Sequence, residues 1–365
     1  MEQHKRIVIK IGSSSLTDKH GLLDEIKLKA LVSSIAELFE TGWQPILVSS
    51  GAVAAGLGHL GWCRANLTMP ERQAAAAVGQ GLLMEKYSEL FQLIQIKVGQ
   101  ILLTKEDLAD RRRYINARNT LNALLTRNVL PIVNENDTVA FAEIRFGDND
   151  TLSALVAGLV EAELLVILTD IDGLYSGDPR KDPEAKLIPV VQQVDDSIIR
   201  VAGERGSPVG TGGMRTKLAA ARIAARSGIK TVITSGNNPE SLKAIASGEK
   251  LGTSFEPANN SLKSRKQWIA FGTIPRGTLK VDEGAARALM AGNKSLLAVG
   301  VVAVTGNFSA GSIVAVEDLN GLEMARGITN LSAEDLRLVI KKPKRGLEVI
   351  NRDWLVCERS FSTCQ

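Results

Sequence analysis

The chain has 365 residues, 44% of them apolar and 23% charged, with a formal net charge of +4. That length supports a large core and two domains, and no apolar run reaches the ~20 residues that would span a bilayer, which argues against an integral membrane protein. Three histidines (His4, His20, His59) and three scattered cysteines (Cys63, Cys357, Cys364) argue against a histidine-based triad, a zinc site and a disulfide framework.

The first segment, MEQHKRIVIKIG, lacks a signal-peptide layout and predicts a cytoplasmic protein. Arg6–Ile11 reads as a strand ended by Gly12 and three serines, with Lys10 near its C-terminal end. Such a turn frees backbone N–H groups, and a lysine beside it can neutralise phosphate oxygens; a solvated strand-end lysine is the plainer alternative. Leu22–Glu40 has helical spacing, and Pro45–Val48 is a second strand, followed by Ser49-Ser50-Gly51. Hydroxyls and helix-terminal amides there suit a carboxylate or phosphate, or simply cap a helix. Gly56–Gly61 matches GxGxxG literally, but a helical run separates it from the strand, so it is a decoy.

Glu71–Phe91 reads as a long helix whose small residues Ala74–Ala77 imply close packing. Val98–Leu103 is a strand, Tyr114–Arg127 a helix and Val129–Val133 a strand. That strand stops at Asn134-Glu135-Asn136-Asp137, and a second polar knot, Gly147-Asp148-Asn149-Asp150, precedes a helix from Thr151. One aspartate at such a junction reads equally well as a helix N-cap. Two Asx clusters flanking one connection, past a strand's C-terminal end, mark a candidate site. Leu164–Leu168 is an apolar strand ending in Thr169-Asp170, and the Gly/Pro-rich loop beyond it, with Tyr175, could seat a nucleotide. Gly210–Lys217 (GTGGMRTK) is not a P-loop, yet it brings backbone amides, a hydroxyl and a lysine to a helix start, as a phosphate site requires. Ile229–Thr234 is a further strand.

Strands alternating with helices over 1–250 predict an α/β sandwich with a mainly parallel sheet. The pattern changes after Gly252. Boundaries fall at 1–258 for the first domain, 259–275 for a linker, 276–355 for a small, mostly β domain and 356–365 for a tail. Short strands are expected at Trp268–Phe271, Gly277–Val281, Gly300–Val304, Ile313–Val316 and Glu348–Ile350, with one helix at Gly284–Gly292. Residues 259–365 hold 15 Lys and Arg against 10 Asp and Glu, while 1–258 hold 29 against 30. A basic second domain permits nucleic-acid contact, but aromatic residues are only 4% of the chain, too few for a stacking platform.

The segments IKIGSSSLT, LVSSGAVAAG, PIVNENDTVAFAEIRFGDND, LLVILTDIDGLYSGDPR and GTGGMRTK, in this order, resemble the amino acid kinase family. VDEGAARALMAGNKSLLAVGV with TGNFSAGSIV resembles a PUA domain. Both in one chain point to the family branch that acts on glutamate; acetylglutamate and uridylate kinases lack the PUA domain, and aspartokinase carries a different regulatory domain. The resemblance implies a three-layer α/β/α sandwich plus a PUA pseudo-barrel. It also implies ATP-dependent, Mg²⁺-assisted phosphorylation of the glutamate γ-carboxylate, the first step of proline biosynthesis. By resemblance, Lys10 and Lys217 stabilise the transferring phosphoryl group, Asp150 organises those lysines and Asp148 supports the site. Ser50, Asp137 and Asn149 bind substrate; Asn134 is a further carboxylate binder on chemical grounds. Lys10, Thr169, Asp170 and the loop Thr211, Gly212, Gly213, Met214, Arg215, Thr216, Lys217 hold the nucleotide. No residue is assigned as a dedicated metal ligand. The family further implies self-association, proline feedback and handover to glutamyl phosphate reductase. The stretch LRLVIKKPKRGLEVINRDWLV is read as a shortened form of the family's PUA end, followed by an atypical tail, CERSFSTCQ, and RNA binding is not expected.

The alternatives are phosphorylation of another small anion (aspartate, acetylglutamate or UMP) and an RNA-binding protein acting through the PUA-like half.

Overall fold

The computed structural model describes residues 5–357 apart from 19, 64, 66, 141–148, 180–181, 202–212, 259–263, 293 and 342–345. Two compact units result: Met1–Asp107 with Arg111–Ser261, and Leu108–Asp110 with Leu262–Gln365.

The first unit contains β1 (Lys5–Ile11), α1 (Glu25–Glu40), β2 (Trp43–Ser49), α2 (Ala52–Leu60), α3 (Met69–Leu93), β3 (Lys97–Leu103), α4 (Lys105–Ala109, whose last residues belong to the second unit), α5 (Arg111–Thr126) and β4 (Val129–Glu135). It continues with α6 (Asn149–Leu159), β5 (Leu164–Thr169), β6 (Val190–Val191), α7 (Asp196–Val201), α8 (Met214–Arg226), β7 (Lys230–Ser235), α9 (Ser241–Ala246) and β8 (Thr253–Phe255). The sheet order is β3-β4-β2-β1-β5-β7-β8-β6. Pairing is parallel from β3 through β7, β8 runs antiparallel to β7, and β6 pairs parallel with β8.

Strand periodicity divides the core. Ile7, Ile9 and Ile11 pack on one face with Leu28, Leu31 and Ile35 of α1, Leu83 and Phe91 of α3 and Leu242 of α9. The alternate residues, Val8 and Lys10, therefore face the other layer, where α6 packs on β1 and against α8. The fold is the expected α/β sandwich with helices over both faces of the sheet.

The GxGxxG decoy resolves as helix: Gly56 and Gly58 lie inside α2. Their purpose is packing. A Cβ built on Gly56 would lie 1.8 Å from the Ala75 carbonyl oxygen, and one on Gly79 of α3 would lie 1.8 Å from that of Ala52. Backbone meets backbone at this crossing, so no side chain can yield. Gly79→Ala should lower the unfolding free energy by about 2–3 kcal/mol, measured by denaturant titration, whereas an open-space change such as Gly81→Ala should be near neutral.

The second unit has α10 (Ser264–Phe271), β9 (Gly277–Val281), α11 (Glu283–Met290), β10 (Leu296–Leu297), β11 (Val301–Gly306), β12 (Ile313–Glu317), β13 (Glu323–Thr329), α12 (Ala333–Lys341) and β14 (Glu348–Cys357). Its sheet order is β10-β14-β13-β12-β9-β11, antiparallel except for the β12–β9 pair. Three sequence expectations are corrected here. Trp268–Phe271 is helical, not a strand: Trp268, Ile269 and Ala270 are buried, and the Trp268 indole Nε1 donates to the Leu108 carbonyl at 2.9 Å. β13 (EMARGIT) is not marked as a strand by its sequence, because it buries a charged pair within the strand. There Arg326 Nη2 donates to Glu323 Oε2 at 3.1 Å, and Arg326 Nη1 donates to the Ala270 carbonyl at 3.1 Å. The stretch read as shortened forms a full helix, α12, before a ten-residue β14, with Ala333 and Leu336 buried in the core of this unit.

Candidate active site

The sheet collects its polar residues at one edge. Parallel pairing places Lys10 of β1 beside Val48 of β2 and Ile167 of β5, so the strand ends at Ile11, Ser49, Glu135 and Thr169 share the C-terminal side. From β1 the chain crosses to β2 on one side, and β5 is added on the other. A crevice outside such a reversal is the ordinary ligand site of an open parallel sheet.

Three buried charges from three elements meet there. Lys10 Nζ lies 2.5 Å from Asp150 Oδ1, and Lys217 Nζ lies 3.1 Å from Asp150 Oδ2. Asp150 is fully buried, and both lysines are more than nine-tenths buried. Asp150 sits in the first turn of α6, where the helix dipole favours a carboxylate, and it is not the N-cap that a lone aspartate at this position could have been. Thr216 donates its hydroxyl hydrogen toward Asp150 Oδ2 at 2.9 Å and lies 2.8 Å from the Gly213 carbonyl. Gly213 is the N-cap of α8, so the GGMRTK stretch opens a helix as its sequence suggests. Two ammoniums thus converge on one carboxylate at a buried point. Buried cations beside these strand ends can meet the charge of a polyanion.

Beside this cluster lies an amide network. Asn149 Nδ2, with two hydrogens to donate, lies within reach of three acceptors: the Ser49 carbonyl (2.9 Å), Ser50 Oγ (2.9 Å) and Asn134 Oδ1 (2.8 Å). Asn134 Oδ1 also accepts from the Glu135 N–H at 2.9 Å, and Asn134 Nδ2 donates to Gln80 Oε1 at 2.7 Å. Ser49 Oγ lies 3.0 Å from the Tyr87 hydroxyl. Burial pushes the Tyr87 phenol well above its ordinary range, against the lowering effect of the Ser49 contact, so it stays a neutral hydroxyl. Thr169 is buried at the end of β5, its hydroxyl 3.1 Å from Asp170 Oδ1 and its carbonyl accepting from the Gly236 N–H at 2.7 Å.

The sequence-selected residues thus divide. Lys10, Asp150, Thr216 and Lys217 form one cluster; Ser50, Asn134 and Asn149 form another, joined to it through the adjacent residues Asn149 and Asp150. Asp137 lies half-buried in the turn after β4, Met214 is half-buried, and Asp170 and Arg215 are exposed. Asp148, Thr211 and Gly212 lie outside the described residues. Gln80 and Tyr87 are not marked as site residues by the sequence. Gln80 and Tyr87 fall within a long helix whose pattern shows only packing, and no local motif singles them out.

The amino acid kinase family model matches residues 5–235, and the PUA domain model matches 277–350. The chain is 51% identical to the glutamate 5-kinase of Chromobacterium violaceum over 94% of its own length and 92% of that protein. It is 48% identical to the glutamate 5-kinase of Citrifermentans bemidjiense over 98% of both. Among solved structures, the carbamate kinase of Giardia lamblia bound to AMP-PNP superposes with a TM-score of 0.53 at 18% identity, covering 71% of this chain and all of that one, a likeness of fold. The chain belongs to the amino acid kinase family, within its glutamate 5-kinase branch, and carries a C-terminal PUA domain.

Proposed function

We propose that the protein transfers the γ-phosphoryl group of ATP to the γ-carboxylate of L-glutamate, giving L-glutamyl 5-phosphate and ADP, the first step of proline biosynthesis. The observation that carries this reading is the Lys10–Asp150–Lys217 cluster placed directly against an amide and hydroxyl floor. A γ-carboxylate is already ionised at neutral pH, so no general base is required. One of its oxygens bonds to the γ-phosphorus as the bond to the β,γ-bridging oxygen breaks. The obstacle is mutual repulsion of two anions. Lys10 and Lys217 meet the charge on the phosphoryl oxygens, Asp150 and Thr216 hold those groups still, and little reorganisation remains at the moment of transfer.

Ser50, Asn134 and Asn149 form the acceptor side, with Asp137 as the partner of the substrate ammonium. Thr169, Asp170 and residues 211–217 hold the nucleotide, and Asp148 supports the cluster. Among the described residues no group of three or more His, Cys, Asp or Glu side chains could hold a metal ion. No residue is assigned as a dedicated metal ligand; a Mg²⁺ ion bound together with ATP would keep much of its water shell and offset phosphate charge. Among the described residues no helix is long and apolar enough to cross a membrane. A cytoplasmic location belongs to the proposed reading. Self-association, inhibition by proline and delivery of the labile acyl phosphate to glutamyl phosphate reductase belong to the same reading.

The test is glutamate-dependent hydroxamate formation with ATP and hydroxylamine, run beside aspartate, acetylglutamate and UMP as acceptors. Glutamate should give by far the largest yield. Phosphorylation of UMP without glutamyl hydroxamate would overturn the assignment.

A further inference from the structure

Helix α3 reaches the acceptor side of the site from below. Gln80 and Tyr87 are seven residues apart, two turns along one face. Each donates to or accepts from the end of a different strand: Gln80 Oε1 accepts from Asn134 Nδ2 of β4, and Tyr87 meets Ser49 Oγ of β2. Asn134 and Ser49 are in turn two of the three residues that hold the Asn149 side-chain amide. The close α2–α3 crossing at Gly56 and Gly79 brings the backbone of α3 in far enough for the adjacent Gln80 to make this contact.

The polarity of this chain of amides is fixed by groups that cannot reverse. The Glu135 N–H can only donate, so the Asn134 oxygen must face it. The Ser49 carbonyl can only accept, so the Asn149 nitrogen must face it. Asn134 then turns Nδ2 toward α3, where it needs an acceptor, and Gln80 supplies one. At the far end, Asn149 Oδ1 is buried and has no hydrogen-bond partner among the described residues. A buried acceptor left open is an incomplete arrangement, which a ligand donor completes.

We propose that Gln80, assisted by Tyr87, is a positioning residue that locks the orientation of the Asn134–Asn149 amide pair, so that Asn149 Oδ1 is presented to an N–H donor of the acceptor substrate. The inference rests on glutamate as acceptor, whose only N–H donor is its α-ammonium group. Gln80 touches no substrate; it acts through Asn134. Without its acceptor oxygen, Asn134 Nδ2 is left unpaired, the pair can rotate, and the ordering of Asn149 must be recovered on binding.

The experiment compares Gln80→Met, which keeps length but removes the acceptor, with Gln80→Glu, which keeps an acceptor oxygen, and Tyr87→Phe, in the full-length protein. Thermal unfolding first verifies that each variant folds. Gln80→Met should raise the KM for glutamate about tenfold, the equivalent of one lost hydrogen bond, with kcat and the KM for ATP within roughly twofold of the parent. Gln80→Glu should stay within about threefold of the parent, and Tyr87→Phe should fall between the two. Glutarate, which lacks the ammonium, should show a smaller penalty than glutamate in Gln80→Met. Equal shifts in the Met and Glu variants, a parallel rise in the KM for ATP, or an unchanged glutamate KM would each overturn the proposal. A parent protein that forms no glutamyl hydroxamate would instead overturn the assignment of the acceptor.

Discussion

Lys217→Ala should lower kcat by about a thousandfold while changing the KM for glutamate by no more than about threefold. The ammonium is more than nine-tenths buried and held 3.1 Å from Asp150. Its removal deletes one of the two buried ammoniums held on Asp150, just where phosphoryl charge must be met. Water entering the gap restores little, because a mobile dipole must reorganise during transfer and a fixed ammonium need not. Lys10 and Thr216 still hold Asp150, so the fold should survive. Steady-state kinetics in both substrates provide the check. A fall of less than tenfold, accompanied by a large rise in the glutamate KM, would move Lys217 to the binding side.

Asp150→Asn should be the more destructive change to the fold. It leaves two buried ammoniums facing a neutral amide, and breaking a buried charge pair from one side costs about 3–5 kcal/mol. Chemical denaturation should therefore show a midpoint far below that of the parent, together with loss of turnover. The double variant Asp150→Asn with Lys10→Met removes one of the repelling charges. It should recover more than half of the lost stability and none of the activity. If the single variant is as stable as the parent, the cluster is hydrated and its charges are not coupled as the distances imply.

Much of this site can be read from the chain because its parts lie at junctions. Lys10 ends a strand, Asn149 and Asp150 open a helix, and Gly213–Lys217 opens another; junction chemistry is local, so residue type and position suffice to mark it. What the sequence does not reveal is which of these residues meet. Thr216 reads as a phosphate-loop hydroxyl, yet its hydroxyl contacts Asp150 and the Gly213 carbonyl. Gln80 and Tyr87 are invisible because their role depends on where α3 crosses the sheet. The same division holds in the second unit. Gly277–Val281 and Ile313–Val316 alternate or run apolar and are legible as strands. β13 is not, since it buries a charged pair, Arg326 with Glu323, and Arg326 also donates to the carbonyls of Ala270 and Thr273. Trp268–Phe271 has strand-like composition, and its helical state is set by the tertiary burial of Trp268.

The charge cluster also constrains when the site can come into being. Its three members come from the first strand, the sixth helix and the start of the eighth, so it unites the beginning of the unit with residues near its end. Closing so long a loop adds only modestly to the entropy already lost, but contacts of such sequence separation form late in folding. During synthesis, Lys10 and Asp150 are both available before Lys217 has left the ribosome. A chain stopped short of that point has β1 to β6 and α1 to α7, and lacks one of the two ammoniums of the cluster.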